Sequence, residues 1–256
     1  MEAGRAESPD AMRLPATCQH GRLAYHWRQR LDTQAHHETA KDTDGSITRR
    51  TSPGDMLRHC IAGSGQGGLR RRKVSHMLIR RDDSLLLLVD LQERLLPAIF
   101  EGEQTVRNSL RLLEGADRLA IPAFVSEQYV RGLGPSLEAI RQAAGKARFL
   151  QKTHFSCAAE PGVVDLLRAA KRPQVILTGT EAHVCVLQTA FGLQAMGFEI
   201  FLVADATASR TAESRHFAIE RMRAGGIHIV TTEMVLFEWL HQAATDEFRD
   251  LLPLIR

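Results

Sequence analysis

Leu85-Leu-Leu-Leu-Val-Asp90 is an unbroken apolar run closed by a carboxylate, and its reading decides the fold. A strand with one wet face alternates apolar and polar residues, whereas a continuous run of this length fits a strand covered on both faces. Five more strand-sized segments follow, at Ala123–Ser126, Ala147–Gln151, Gln174–Thr178, Glu199–Ala204 and Ile227–Val230. Helical patterns lie between them, at Thr105–Leu119, Ser136–Ala144, Val163–Ala170, Val186–Met196 and Glu213–Ala224, and a last one covers Glu233–Ala244. Pro161-Gly162 opens the third helix and Gly225-Gly226 closes the fifth, the expected punctuation at helix ends. Strands alternating with helices in this way imply βαβ units. The expected fold class is α/β, a three-layer α/β/α doubly wound domain with a six-stranded parallel sheet in the order 3-2-1-4-5-6.

Upstream of this pattern the texture differs. Residues 1–76 hold 13 Lys/Arg and 8 Asp/Glu, and six of the chain's 11 histidines. Such a polar segment buries too little apolar surface to offset chain entropy, so 1–76 is expected to be a disordered N-terminal extension and 77–256 the folded domain. Met77-Leu-Ile-Arg-Arg-Asp-Asp-Ser84 reads as a natural domain start, and a mis-assigned start codon is one account of what precedes it. Gly63-Ser-Gly65-Gln-Gly-Gly68 spells the dinucleotide fingerprint GxGxxG, but it follows Cys60-Ile-Ala and runs into Leu69-Arg-Arg-Arg-Lys73. The fingerprint needs a strand before it and a helix after it, so the run is read as a flexible linker with a solvated basic tail.

The rest of the chain carries 20 Lys/Arg against 22 Asp/Glu, which offers no electrostatic reason to expect a nucleic-acid partner. No apolar run reaches the roughly 18–20 residues of a membrane span, and the N-terminal residues lack the apolar stretch expected of a secretory signal. Cys18, Cys60, Cys157 and Cys185 are too scattered for a zinc or dithiol motif. Unpaired cysteines fit a reducing compartment, so a cytoplasmic location is expected.

In a doubly wound sheet, ligands bind beyond the carboxyl ends of the strands, where strand order reverses. Three reactive side chains fall there. Asp90 ends the first strand in Leu87-Leu-Val-Asp90-Leu-Gln92, and Lys152 ends the third in Phe149-Leu-Gln-Lys152-Thr-His-Phe155. Cys185 follows the fourth in Gly179-Thr-Glu-Ala-His-Val-Cys-Val186, where a helix begins. Helix N-termini and nearby cations lower a thiol pKa from about 8.5, so Lys152 and the helix dipole are expected to stabilise a Cys185 thiolate. Asp90 can take the thiol proton and later activate water, and amides of the turn Thr180–Cys185 could form an oxyanion hole.

These three motifs in this order resemble the isochorismatase-like (cysteine hydrolase) superfamily. The resemblance extends over 84–242 and takes in Ser126-Glu-Gln-Tyr129, Gly132-Leu-Gly134, Val203-Ala-Asp-Ala206 and Thr231-Thr-Glu-Met-Val-Leu-Phe-Glu-Trp239, segments similar to a branch of small hydrolases. It implies Asp90 as general base, Lys152 as charge-stabilising partner and Cys185 as nucleophile. It also implies a non-proline cis peptide at Thr180–Glu181, with the amides of Glu181 and Cys185 aimed at the oxyanion. Nicotinamidases of that superfamily bind a divalent metal through an Asp and several His after the second strand. Here the region reads Glu127-Gln-Tyr-Val-Arg-Gly-Leu-Gly134 without histidine, so no metal and no other cofactor is expected. Members often assemble into closed oligomers, which implies a homo-oligomer.

Gln92, Glu127, Gln128, Phe155 and His183 are the candidate substrate-pocket residues, and for Glu127 and Gln128 a loop-stabilising role is the alternative. Cys157 reads as pocket lining or packing, with a second nucleophile or redox partner as the other option. His154 and Asp205 read as structural, and Phe237–Leu240 as core or subunit interface. Specificity is expected in loops 127–135, 153–160 and 207–212. The leading function is a metal-independent hydrolase that cleaves a small amide or related C–N bond through a Cys185 thioester. The alternative is a catalytically quiet oligomeric scaffold of the same fold.

Overall fold

A computed structural model describes residues 78–255; the extension 1–76, with its glycine-rich run and basic tail, lies outside the described residues. Six strands form one parallel sheet in the order β3-β2-β1-β4-β5-β6. They are β1 Ser84–Val89, β2 Ala123–Gln128, β3 Arg148–Lys152, β4 Gln174–Gly179, β5 Glu199–Thr207 and β6 His228–Val230. The helices are α1 Gly102–Arg118, α2 (one turn) Val130–Leu133, α3 Glu138–Ala143, α4 Val163–Ala169, α5 Leu187–Ala195, α6 Ala212–Ala224, α7 Thr232–Leu240 and α8 Asp246–Ile255.

The leucine run of β1 explains the layering. Side chains of a strand point alternately to opposite faces. Leu85, Leu87 and Val89 therefore join one core with Val163 and Leu167 of α4, Ala190 and Leu193 of α5, and Met222 of α6. Leu86 and Leu88 join the other, with Leu112 and Leu113 of α1, Ile140 of α3, and Leu236 and Trp239 of α7. Every β1 residue is buried. A polar residue inside the run would place an unpaired group in one of the two cores, which is why the strand has no alternation.

β2 runs two residues past the expected Ser126, to Gln128, and the turn α2 was not expected; three further elements also differ from expectation. Strand β5 continues past Ala204 to Thr207 through a bulge, because the β4–β5 register shifts between Leu177 and Gly179. The carbonyls freed there are taken up by Arg215, which donates to Ala204 O at 2.6 Å and Thr207 O at 2.7 Å. The last expected helix ends at Leu240 instead of Ala244, because His241 turns into the left-handed region at φ 58. Beyond it α8 forms, with Thr245 Oγ1 accepting from Phe248 N at 3.1 Å and Leu251 buried against the second core. Of the Phe237–Leu240 stretch, Trp239 and Leu240 pack in that core while Phe237 stays exposed. Among the described residues no helix is long and apolar enough to cross a membrane.

Gly179, at the end of β4, has φ +129, and a Cβ there would overlap the Val89 carbonyl oxygen and stand 2.6 Å from Val89 N. Gly197 also has positive φ, at +92, but has open space around it. Gly179→Ala is expected to lose about 3 kcal/mol or more in urea unfolding, since overpacking adds to backbone strain. Gly197→Ala carries only the backbone cost of about 1–2 kcal/mol. Equal losses would show that the β1–β4 approach is not the tight contact described.

Candidate active site

Parallel register sets the positions at the carboxyl end of the sheet. Val89 pairs with Ser126 on one side and Gly179 on the other, so Asp90 is the first residue beyond the sheet at the point where strand order reverses. Its backbone is left-handed, at φ 56, a conformation that Asp tolerates better than most residues. The turn is held by Asp90 N donating to Ser126 O at 3.1 Å and by Gln92 N and Thr180 Oγ1 donating to Asp90 O at 3.0 and 2.6 Å. Lys152, paired with Gln128 at the end of β3, reaches across β2 to the carboxylate of Asp90.

The ammonium of Lys152 donates to Asp90 Oδ2 at 2.7 Å, Gln128 Oε1 at 2.6 Å and Phe155 O at 3.2 Å. Three protons meet three acceptors, with both side chains of the ion pair fully enclosed. The other carboxylate oxygen, Asp90 Oδ1, accepts from Ser126 Oγ at 2.8 Å, and the Cys185 thiol lies beside the same carboxylate, close enough for each to act on the other's protonation. Asp90, Lys152 and Cys185 thus meet in one cluster.

Cys185 stands in a widened turn. Residues Ala182–Val186 form a π-helical turn that runs directly into α5, a geometry that recurs at functional sites. The carbonyl of Glu181 accepts from Val184 and Val186, passing over the amide of Cys185 between them. Glu181 itself is left-handed at φ 58, and its amide makes no backbone hydrogen bond among the described residues. The expected cis peptide at Thr180–Glu181 is corrected: the described residues contain none. Gly179 and Glu181, both at positive φ, reverse the chain through trans bonds instead.

The charges also correct one expectation. Burial pushes the Cys185 thiol well above its ordinary range; the negative charge of Asp90 adds to this, and the Lys152 ammonium only partly opposes it. Lys152 is engaged with Asp90, so the resting sulfur is a neutral thiol and no preformed thiolate. Burial likewise raises Asp90, against the Lys152 charge and hydrogen bonds from Lys152, Ser126 and Cys185. A carboxyl raised in this way is a better proton acceptor at neutral pH than one at its ordinary value.

The candidate pocket residues divide into several groups. Gln92 is fully buried and its amide is committed to backbone: Nε2 donates to Gln128 O at 3.0 Å and Gly134 O at 2.6 Å, and Oε1 accepts from Gln128 N at 2.8 Å. Glu127 Oε1 accepts from Ser136 N at 2.7 Å, which fastens the loop after β2. Gln128 bridges Lys152 to Thr153 O. Phe155 leaves its ring exposed while its carbonyl serves Lys152. His183 contacts Ser209 Oγ at 3.0 Å and Arg210 at 3.3 Å. His154 sits on the loop carboxylate of Glu160 at 2.9 Å, and Asp205 anchors the start of α7 through Thr232.

Sequence reasoning gave no side-chain role to Ser126, Thr180 or Arg210. Arg210 Nε meets Glu181 Oε1 at 3.1 Å beside the turn that carries Cys185. Ser126 carried a readable signal, as the residue level with Val89 on the neighbouring strand. Among the described residues, no group of three or more His, Cys, Asp or Glu is gathered as a metal ion would need.

A three-layer doubly wound domain with an acid, an ammonium and a thiol converging at its switch point defines an α/β protein built around a strand–helix cysteine. The family model for the Isochorismatase domain matches residues 84–234, and the chain belongs to the isochorismatase family. It is similar to isochorismatase domain-containing protein 2 of Danio rerio, 38% identical over 172 residues that cover 67% of this chain and 86% of the relative. It is also 38% identical over 173 residues to isochorismatase domain-containing protein 1 of the same fish, of which it covers 61%. Among solved structures it resembles the MAR1 ribonuclease from Caenorhabditis elegans, at 35% identity and a TM-score of 0.66 over 70% of this chain and 92% of that one.

Lys152→Met leaves a buried carboxylate without its counter-charge, a loss of about 3–5 kcal/mol where such pairs have been broken. Asp90 is raised in the folded state, so its effect on stability is most favourable below the unfolded carboxylate value of about 3.9 and worsens as pH rises through the folded value. Losing Lys152 raises it further. The stability gap between wild type and Lys152→Met, read from urea unfolding, is therefore expected to be widest at neutral pH and to narrow towards pH 5. A gap independent of pH would contradict the pairing.

Proposed function

We propose that the protein is a hydrolase that cleaves a small amide or related C–N bond through Cys185, without need of a metal. The observation that carries this reading is the enclosed Asp90–Lys152 pair at the switch point of the sheet, with the buried Cys185 thiol beside it. As Asp90 takes the thiol proton, the sulfur attacks the substrate carbonyl carbon. The negative charge that develops on the carbonyl oxygen faces the amides of Glu181 and Cys185. The C–N bond then breaks, the amine leaves with the proton from Asp90, and a thioester remains. Asp90 next deprotonates water; hydroxide attacks the thioester, the acid leaves, and the sulfur regains its proton. Lys152 stays an ammonium throughout and balances whichever neighbour carries the negative charge.

The name of the C. elegans relative raises RNA as a substrate. The near-balanced charge of residues 77–256 and the enclosure of Cys185, only 4% exposed, favour a small neutral molecule over a polyanion. We further read the chain as a homo-oligomer, with the exposed rings of Tyr129 and Phe155 at the rim of the candidate site as surface for a second copy.

The test is a screen of small amides, carbamates and a short RNA with wild type, Cys185→Ala and Asp90→Asn. A C–N substrate should be turned over by wild type and lose at least about 10³-fold in both variants. RNA cleavage that survives Cys185→Ala would replace this reading with a nuclease. Asp90→Asn has a second, opposite signature. Removing the adverse negative charge beside the thiol lowers its pKa, so ultraviolet thiolate absorbance is expected to appear at lower pH although turnover is lost. Iodoacetamide should label Cys185 ahead of the fully buried Cys157 once Asp90→Asn lowers its pKa; a wild type that turns over none of the substrates would favour the quiet scaffold.

A further inference from the structure

Lys152 is held by the loop that follows it as well as by Asp90. Phe155 O takes one hydrogen of the ammonium at 3.2 Å. Gln128 Oε1 takes another at 2.6 Å, and the Gln128 amide is turned the right way by its other end, where Nε2 donates to Thr153 O at 2.8 Å. An amide flipped over would aim N–H donors at an ammonium that has only donors of its own. Two of the three acceptors of Lys152 therefore depend on where the carbonyls of Thr153 and Phe155 lie. Burial does little to fix them, because Thr153, His154 and Phe155 are all exposed.

The fastening comes from Glu160. Its Oε2 accepts from Thr153 N at 2.9 Å, from His154 N at 3.1 Å and from the His154 ring Nδ1 at 2.9 Å. These bonds, the ring's first, hold the Glu160 carboxyl below its ordinary range, and bonds to an ionised acceptor are among the stronger ones. Glu160 in turn stands on a fixed base. Its amide donates to Cys157 O at 3.3 Å, closing the 3-10 turn Cys157–Ala159. That turn lies on α5, where Cys157 N donates to Thr189 Oγ1 at 3.0 Å and Ser156 Oγ to Gln188 O at 3.1 Å. Gly192 admits it, since a Cβ there would stand 2.6 Å from that of Ala158. A path of hydrogen bonds thus runs from the helix behind Cys185, through Glu160, to the carbonyls that serve Lys152.

We propose that Glu160 is a positioning residue for Lys152: its carboxylate gathers the amides of Thr153 and His154, so that Phe155 O and the Gln128 amide stay on the ammonium. The loop is then divided by function. Its backbone holds the charged pair, and its three side chains are left free to face outward. Without the Glu160 acceptor the two amides turn to water and the loop moves off Lys152. The ammonium, enclosed beside Asp90, keeps a hydrogen with no acceptor, which only entering water can satisfy.

This inference rests on Lys152 as the charge-balancing partner of the proposed reaction, but its readout needs no turnover. The exchange of the Lys152 ammonium hydrogens with water is followed by nitrogen–proton NMR in the full chain, the resonance being identified by its loss in Lys152→Met. Wild type should give a slowly exchanging ammonium. Glu160→Ala should exchange at least about tenfold faster, since an enclosed donor has lost its acceptor. Glu160→Met, which keeps the side-chain length without an acceptor oxygen, should match it and stands in for it if the alanine variant does not fold. Glu160→Gln still offers an oxygen to both amides and should stay within about twofold of wild type. His154→Ala removes the ring contact alone and should also stay near wild type. Unchanged exchange in Glu160→Ala and Glu160→Met, or a glutamine or His154→Ala variant as fast as they are, would each overturn the proposal. Failure of every amide in the activity screen would remove the hydrolase reading and leave this exchange measurement as it stands.

Discussion

The ion pair between Asp90 and Lys152 is the constraint to which the carboxyl end of the sheet conforms. It joins β1 to β3 across the intervening β2, so it can form only if all three strands end level with one another. The register does this, pairing Val89 with Ser126 and Gln128 with Lys152. Two charges removed from water cost several kcal/mol each, and their mutual attraction offsets this only when the remaining donors and acceptors are also met. Here they are met from the intervening strand: Ser126 serves the carboxylate and Gln128 the ammonium. That is why the end of β2 is polar although the strand beneath it is apolar. Gln92 then fixes the backbone of Gln128 from the other side, so the polar layer is braced by an amide that itself touches neither charge.

The turn that carries Cys185 answers a different demand. Cys185 must reach the Asp90 carboxylate while the helix behind it packs into the first core through Ala190 and Leu193. An α-helix that started at once would bond the Cys185 amide to the Glu181 carbonyl. The wider π turn skips that bond. Gly179 brings β4 against Val89 at a distance no side chain permits, and Thr180 ties the turn to the Asp90 carbonyl. The Asp90 turn and the Cys185 turn are therefore fastened to each other through the backbone as well as brought together at their side chains.

Much of this is legible in the sequence, for identifiable reasons. The leucine run of β1 admits only a two-faced burial, and that alone places Asp90 at a crevice. Lys152 and Cys185 followed from the same rule about strand ends. What escaped was set by tertiary contact. The bulge in β5 depends on Arg215, eight residues past Thr207 and on another element. The reversal at His241 has no glycine to announce it. The neutral state of the Cys185 thiol was misjudged because the sequence places a lysine near it but does not say that the lysine is already engaged. Gln92 and Glu127 look like substrate ligands in a motif, and only the geometry reveals that backbone amides and carbonyls occupy them.

A strongly raised thiol pKa looks like an obstacle to nucleophilic catalysis, but the relevant comparison is not with water. Delivering the Cys185 proton to bulk solvent would leave two buried anions beside one cation, which is why the thiol resists ionisation there. Delivering it to Asp90 neutralises one anion as the other forms. The net charge of the enclosed cluster is unchanged, and the negative charge only moves from one neighbour of Lys152 to another. The barrier to such a transfer depends on the difference between the two sites, not on the cost of creating a buried charge. Burial raises both groups in the same direction, so it cancels in part from that difference. In the proposed reaction the low-dielectric enclosure thus suppresses a free thiolate while leaving the thiol-to-carboxylate transfer accessible. The side chains that determine its ease are those that favour one anion over the other: Ser126 on the carboxylate, and the amides of Glu181 and Cys185 on the oxyanion that the thiolate generates.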